Sequence, residues 1–250
     1  MKSTPLTGNI GAEISGVRLG ELDAPTFREI ARALWAHQVL VFRGQDIDSE
    51  QQIAFGRRFG ELHVHPAFSG VDGHPEILLI RNEGKAKTIT EVWHSDMSCD
   101  ERPPSISVLR AVEVPSKGGD TLWASQYAAL ESLSEGMRQM LEPLRAVHRK
   151  FDLEATHPVL RTHPETGRRA LYVNQGFTES FEHMTPQESR PLLNYLVGAG
   201  SRPELTMRHR WQPADVVMWD YRCVMHYAVH DYGDAPREMH RVTVRGERPM

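Results

Sequence analysis

Short apolar runs separated by turn-forming clusters dominate the chain, and only a few stretches carry a helical period. Residues 11–19 (GAEISGVRL) alternate apolar and polar positions as a half-buried strand does. Phe27, Ile30, Ala31, Leu34 and Trp35 then recur on one helical face, with Pro25 suited to the first turn, so a helix follows. Val39–Phe42 (VLVF) reads as a buried strand closed by Arg43-Gly44. Ser49-Glu50-Gln51-Gln52 fits a capping box that opens a second helix towards Phe59. Residues 76–81 (EILLIR) form another strand.

From residue 91 onward strands predominate, at 105–114, 121–124, 157–162, 170–174, 205–211, 216–219 and 239–244. Residues 115–120 (PSKGGD) and 164–168 (PETGR) supply turn chemistry, the latter inside a hairpin. Residues 126–144 place Tyr127, Leu130, Leu133, Met137, Met140 and Leu141 roughly in helical phase. Thr185-Pro186-Gln187-Glu188 is a second capping box, leading a helix to about Val197. Many short strands with a few helices predict a β-sandwich or barrel decorated by helices, in a single domain over 1–250. The stretches 62–75, 82–91 and 149–157 stand out as candidate functional loops.

Composition narrows the function. With 250 residues, 25% charged and 8% aromatic, the chain suits one substantial globular core. A formal net charge of −4 argues against a general nucleic-acid binder. Cys99 and Cys223 are too few for a disulfide framework, which points to a reducing compartment. The opening residues lack an apolar signal region. The densest apolar runs fall far below the roughly 20 residues that span a bilayer. The cytoplasm is the expected location, with no membrane partner and no nucleic acid, and a homo-oligomer the expected assembly.

The 13 histidines prompt a search for metal spacing. His94-Ser95-Asp96 puts two ligand types two positions apart, and on a strand i and i+2 share a face. Random order would give about 0.6 such triplets, so the motif needs context. Residues 219–226 (WDYRCVMH) supply His226, followed by Arg237 and Arg241. Two His and one carboxylate on one face of an ion match the facial triad of non-heme Fe(II) oxygenases, while Zn(II) is the competing occupant. No His-Glu-x-x-His signature supports a hydrolytic zinc site. The arginines suit a 2-oxoacid cosubstrate, whose distal carboxylate a guanidinium binds bidentately. Four residues apart, they would share a face of a strand.

The chain resembles the taurine/2-oxoglutarate dioxygenase family, which includes the alkylsulfate and 2,4-dichlorophenoxyacetate dioxygenases. The resemblance rests on VFRGQ (41–45), QQIAFGRRFGELHVHP (51–66), WHSD (93–96), PSKGGDTLWAS (115–125), HRWQPADVVMWD (209–220), HYAVHDY (226–232) and MHRVTVRGERP (239–249). It implies a mainly β fold with flanking helices and a double-stranded β-helix (jelly-roll) core. It implies His94, Asp96 and His226 as catalytic iron ligands, with Fe(II), 2-oxoglutarate and O₂ as cofactor and cosubstrates. Thr121 matches a threonine that helps hold 2-oxoglutarate, Arg237 the arginine on its distal carboxylate, and Arg241 an arginine near substrate and cosubstrate carboxylate.

The substrate would be a small, anionic organic molecule (a sulfonate, sulfate ester, aryloxyalkanoate or amino-acid derivative), hydroxylated with release of succinate and CO₂. His65, Phe68 and Thr90 match substrate-contacting positions. Phe68 and Thr90 stand where the taurine enzymes carry tyrosine and asparagine, Tyr221 where the pattern reads Trp-Asp-Asn-Arg, and the segment 149–157 is shorter. These changes remove polar partners from a sulfonate-and-amine ligand, which disfavours taurine itself. A metal-dependent hydrolase or lyase on the same barrel, or a non-catalytic 2-oxoglutarate-binding protein, are the alternatives.

Overall fold

A computed structural model describes residues 1–64, 70, 71, 73–81 and 91–250. In chain order the strands and helices are β1 (Lys2–Pro5), β2 (Ala12–Ser15), α1 (Ala24–His37), β3 (Val39–Phe42), α2 (Ser49–Arg57), β4 (Gly70–Val71), β5 (His74–Arg81), β6 (Ile106–Glu113) and β7 (Thr121–Ser125). Then come α3 (Gln126–Glu131), α4 (Glu135–Leu141), β8 (Arg145–Lys150), β9 (Leu153–Pro158), β10 (Leu160–Thr162), β11 (Arg169–Leu171) and β12 (Thr178–Phe181). The last are α5 (Pro186–Gly200), β13 (Thr206–His209), β14 (Val216–Asp220), β15 (Val224–Ala228) and β16 (Glu238–Val244).

The major sheet runs β1-β2-β3-β14-β6-β16-β5-β4, and a minor sheet runs β13-β7-β15. All pairings are antiparallel except β2–β3. The strands at the centre of the major sheet are apolar on both faces, because both faces are covered. Leu40, Phe42, Val216, Met218, Val242 and Val244 pack outward against Ile30 and Leu34 of α1 and Ile53 and Phe55 of α2. Val39, Val41, Leu109, Val217, Trp219 and Met239 pack inward against Trp123 and Met207 of the minor sheet. Trp123 is the keystone of this inner layer, with ring centroids 5.6 Å from Trp219 and 6.4 Å from Trp211. The result is the jelly-roll arrangement expected from the sequence, with helices outside and the major and minor sheets face to face. No helix among the described residues is long and apolar enough to cross a membrane.

Several local expectations need correction. The box at the start of α2 is Asp48 with Gln51, one residue earlier than read, because the Asp48 carboxylate accepts the Gln51 amide at 2.8 Å. The segment 126–144 is two helices, since the Ser134 hydroxyl caps a new N-terminus instead of continuing the first. Residues 149–157 belong to a hairpin of β8 and β9 that turns at Phe151-Asp152, both left-handed at φ 53° and 62°. The Thr185–Glu188 box opens α5 as expected.

Candidate active site

β15 pairs with β7 in the register His226↔Trp123 and Ala228↔Thr121, which puts His226 and Thr121 on the same, inward face. An isolated bridge ties His94 to His226: the His94 amide donates to the His226 carbonyl at 3.0 Å, and the His226 amide returns the bond at 2.8 Å. Two imidazoles separated by 132 residues thus stand with ring centroids 4.0 Å apart. His94 and Asp96 do not share a regular strand as expected. The chain turns immediately after Asp96, with Met97 in the left-handed region at φ 49°. Ser95 Oγ donates to the Tyr221 carbonyl at 3.2 Å and holds the tripeptide down. Gly176 allows this approach, because a Cβ there would come within 2.7 Å of the His94 Cβ.

The hydrogen bonds fix the tautomers. His94 Nδ1 lies 2.7 Å from the Val92 carbonyl, and His226 Nδ1 lies 3.0 Å from the His94 carbonyl. A carbonyl only accepts, so each Nδ1 carries the proton and each Nε2 keeps a lone pair. His94 Nε2 is buried without a hydrogen-bond partner among the described residues and faces Asp96 Oδ1 at 3.3 Å. With the neutral ring these are two opposed acceptors, which a cation placed between them would satisfy. Ligand atoms of His94, Asp96 and His226 all lie within 4.8 Å of one another. The residues present therefore fit a metal ion.

Charge supports the same use. Burial would raise the Asp96 carboxyl, but the Arg241 guanidinium, with NH1 2.5 Å from Oδ2, holds it well below the usual carboxylate range. Burial, with His94 adding, pushes the His226 imidazole down to about 3, so it stays neutral and able to ligate.

Of the expected anion-binding residues, Thr121 faces inward with His226. Thr121 Oγ1 accepts the Trp211 indole N–H at 3.0 Å, which leaves its own proton available to a ligand. Arg237 is 8% exposed, its Nε is buried without a partner, and no carboxylate lies within ion-pair distance among the described residues. Gly119 lies beneath it at φ 73°, and a Cβ there would sit 3.2 Å from Arg237 Nε. A buried guanidinium without an anion is costly, so this one is built to receive one.

Arg237 precedes β16, and a register shift at Glu238/Met239 separates it from Arg241. Strand alternation therefore does not relate the two, contrary to the sequence reading. Arg241 is on the Met239 face of β16 and is already bonded to Asp96. Beside His94, the Phe177 ring is 6.5 Å away, with Lys150 Nζ 4.9 Å above it. Both line a cavity of about 550 Å³ with Phe151, Gln175 and Gly176. His65, Phe68 and Thr90 lie outside the described residues.

A second cluster, His163, Asp220 and Cys223, has similar composition and was not singled out as a ligand set in the sequence. The acceptors of its aspartate and histidine are taken. Asp220 Oδ1 accepts from the Arg222 amide at 3.0 Å and Nε at 2.8 Å, and Oδ2 accepts from Arg222 NH2 at 2.6 Å and His163 Nε2 at 2.9 Å. His163 Nδ1 accepts the amides of Glu165 and Thr166 at 3.1 and 3.3 Å. This network locks the turn between β14 and β15. Sequence reasoning did not place Tyr221 in the site, yet its hydroxyl donates to Asp96 at 2.6 Å. The one visible signal was its departure from asparagine.

The chain is similar to known proteins along nearly its whole length. The family model described as "Taurine catabolism dioxygenase TauD, TfdA family" matches residues 2–243. An α-ketoglutarate-dependent sulfate ester dioxygenase of Pseudomonas putida is 38% identical over 98% of this chain and 90% of its own. A taurine dioxygenase structure from Burkholderia xenovorans superposes with a TM-score of 0.93 at 39% identity, covering 100% of this chain and 92% of that one. AAD-2, solved with Mn(II) and N-oxalylglycine, gives 0.88 at 30% identity, with 99% of each chain covered.

Proposed function

The chain belongs to the taurine catabolism dioxygenase TauD, TfdA family, and on that premise we propose how its own residues run a 2-oxoglutarate-dependent oxygenation. The protein is an Fe(II)- and 2-oxoglutarate-dependent dioxygenase. The hydrolytic and non-catalytic alternatives are not favoured, because the relatives are named α-ketoglutarate-dependent dioxygenases. Iron, 2-oxoglutarate and O₂ together supply the oxidising chemistry, converting the cosubstrate to succinate and CO₂ and delivering one oxygen atom to a substrate C–H bond.

His94 Nε2, His226 Nε2 and Asp96 Oδ1 would hold the metal. Arg237 takes the distal carboxylate of 2-oxoglutarate, and Thr121 Oγ1 donates to the same molecule. N-oxalylglycine has the 2-oxoglutarate skeleton with one methylene replaced by N–H, so its presence with Mn(II) in a solved neighbour supports this pairing. Arg241 orients Asp96 and adds positive charge to the pocket.

The substrate is anionic. Lys150 above Phe177 supplies a cation and an apolar wall next to His94, and a relative acts on sulfate esters. Hydroxylation at a carbon bearing oxygen or sulfur would make the product collapse to a carbonyl compound and the released anion. His65, Phe68 and Thr90 are assigned to the substrate side by motif. The single domain spans 1–250, works in the cytoplasm and assembles as a homo-oligomer, the common arrangement for such chains.

The observation that carries the reading is the pair of opposed acceptors, His94 Nε2 and Asp96 Oδ1, together with a buried Arg237 that has no carboxylate partner among the described residues. The test is succinate release by purified protein with Fe(II), ascorbate and 2-oxoglutarate across sulfate esters, sulfonates, aryloxyalkanoates and amino-acid derivatives. Substrate-dependent succinate from at least one class is expected. None across the panel would contradict the substrate assignment.

A further inference from the structure

Tyr221 stands directly after β14 and is 1% exposed. Its amide donates to the Ser105 carbonyl at 2.8 Å, which fixes it to the major sheet. Its hydroxyl donates to Asp96 Oδ2 at 2.6 Å, and its carbonyl accepts from Ser95 Oγ at 3.2 Å. Its ring stands edge-on to His226, with centroids 5.8 Å apart at 63°. One residue therefore braces the His94-Ser95-Asp96 tripeptide at two points and the third ligand at one. A carboxylate oxygen only accepts, so the phenol hydroxyl is the donor in this pair.

We propose that Tyr221 is a positioning residue of the metal site, setting which carboxylate oxygen of Asp96 faces the ion. This rests on the ligand assignment above. A carboxylate can bind an ion through one oxygen or through both. Tyr221 and Arg241 both donate to Oδ2, so Oδ1 is the oxygen left for the metal, and it is the one facing His94 Nε2. Two donors from different elements define the carboxylate plane better than one. Removing the phenol hydroxyl leaves Arg241 alone on Oδ2 and lets the carboxylate swing. Partners that orient metal ligands typically contribute ten- to a hundredfold in metal affinity.

The experiment titrates metal-stripped wild type, Tyr221→Phe, Tyr127→Phe and Asp96→Ala with Mn(II), and records Co(II) absorption spectra of each. Tyr127 is an equally buried phenol whose hydroxyl bonds Thr166 at 3.3 Å, away from the triad. The expected result is a Mn(II) Kd weakened about tenfold or more in Tyr221→Phe. An altered Co(II) spectrum should accompany it, with both properties unchanged in Tyr127→Phe. Should the phenylalanine variant not fold, Tyr221→Asn carries the same expectation. Wild-type affinity and spectrum in the Tyr221 variant would overturn the inference while leaving the ligand assignment intact. A wild type that binds no metal, or an Asp96→Ala that binds as tightly, would overturn both.

Discussion

Two buried clusters in this protein have nearly the same composition and opposite character. His163, Asp220 and Cys223 lie within metal-binding distance of one another, as do His94, Asp96 and His226. In the first, each carboxylate oxygen and the His163 Nδ1 lone pair already accept an N–H. In the second, two backbone carbonyls take the Nδ1 protons and leave His94 Nε2 aimed at a carboxylate oxygen with nothing between. A ligand set is recognised by lone pairs left over after the hydrogen bonds are counted, not by the presence of His, Asp and Cys.

The contrast can be broken most sharply at the two aspartates. Asp96→Ala leaves two protein ligands and should abolish substrate-dependent succinate release, with at least a hundredfold loss of kcat/KM. Normal turnover by that variant would remove Asp96 from the site. Asp220→Ala should act on the fold instead. It strands the buried Arg222 guanidinium and should cost about 3–5 kcal/mol of stability in urea unfolding. Stability within about 1 kcal/mol of wild type would show that the network is dispensable.

Arg237→Ala removes a charge-assisted pair and should raise the KM for 2-oxoglutarate roughly ten- to a hundredfold, with a smaller change in kcat. An unchanged KM would move the anchor elsewhere.

Acid provides a milder probe. Burial holds His148 down at about 3 and His157 at about 4, so both are neutral when folded and charge on unfolding near pH 6.5. The unfolded chain binds more protons between those values, so this stability is full above pH 6.5 and falls as the pH drops towards 4. The slope is about 1.4 kcal/mol per pH unit for each histidine. Urea midpoints measured between pH 7 and 5, above the carboxylate range, should decline, and a flat profile would contradict the buried neutral state. The smallest effect is expected for Cys223→Ala, with metal content unchanged and stability lowered by about 1 kcal/mol. Loss of metal from that variant would reverse the contrast between the clusters.

What could be read in advance follows from physical locality. VLVF at 39–42 is legible because a strand covered on both faces is apolar throughout. α5 is legible because Thr185 and Glu188 cap it within four residues. The β8–β9 hairpin was hidden because its turn, Phe151-Asp152, has neither the glycine nor the asparagine that left-handed turns favour. The grouping of His94, Asp96 and His226 is expected from motifs, while the turn at Met97 and the bridge joining two residues 132 apart are not. The engagement of Arg241 with Asp96, and the reach of Tyr221 across 125 residues to the same carboxylate, are consequences of register that no local pattern encodes.

The most direct measurement is an anaerobic titration of metal-stripped protein with Fe(II) in the presence of 2-oxoglutarate, followed by the visible charge-transfer absorption of the chelate. One iron per chain with a saturating band is expected for the wild type, and no band for His226→Ala. A wild type that binds no iron, or a His226→Ala that develops the same band at the same stoichiometry, would contradict the assignment of this triad as the metal site.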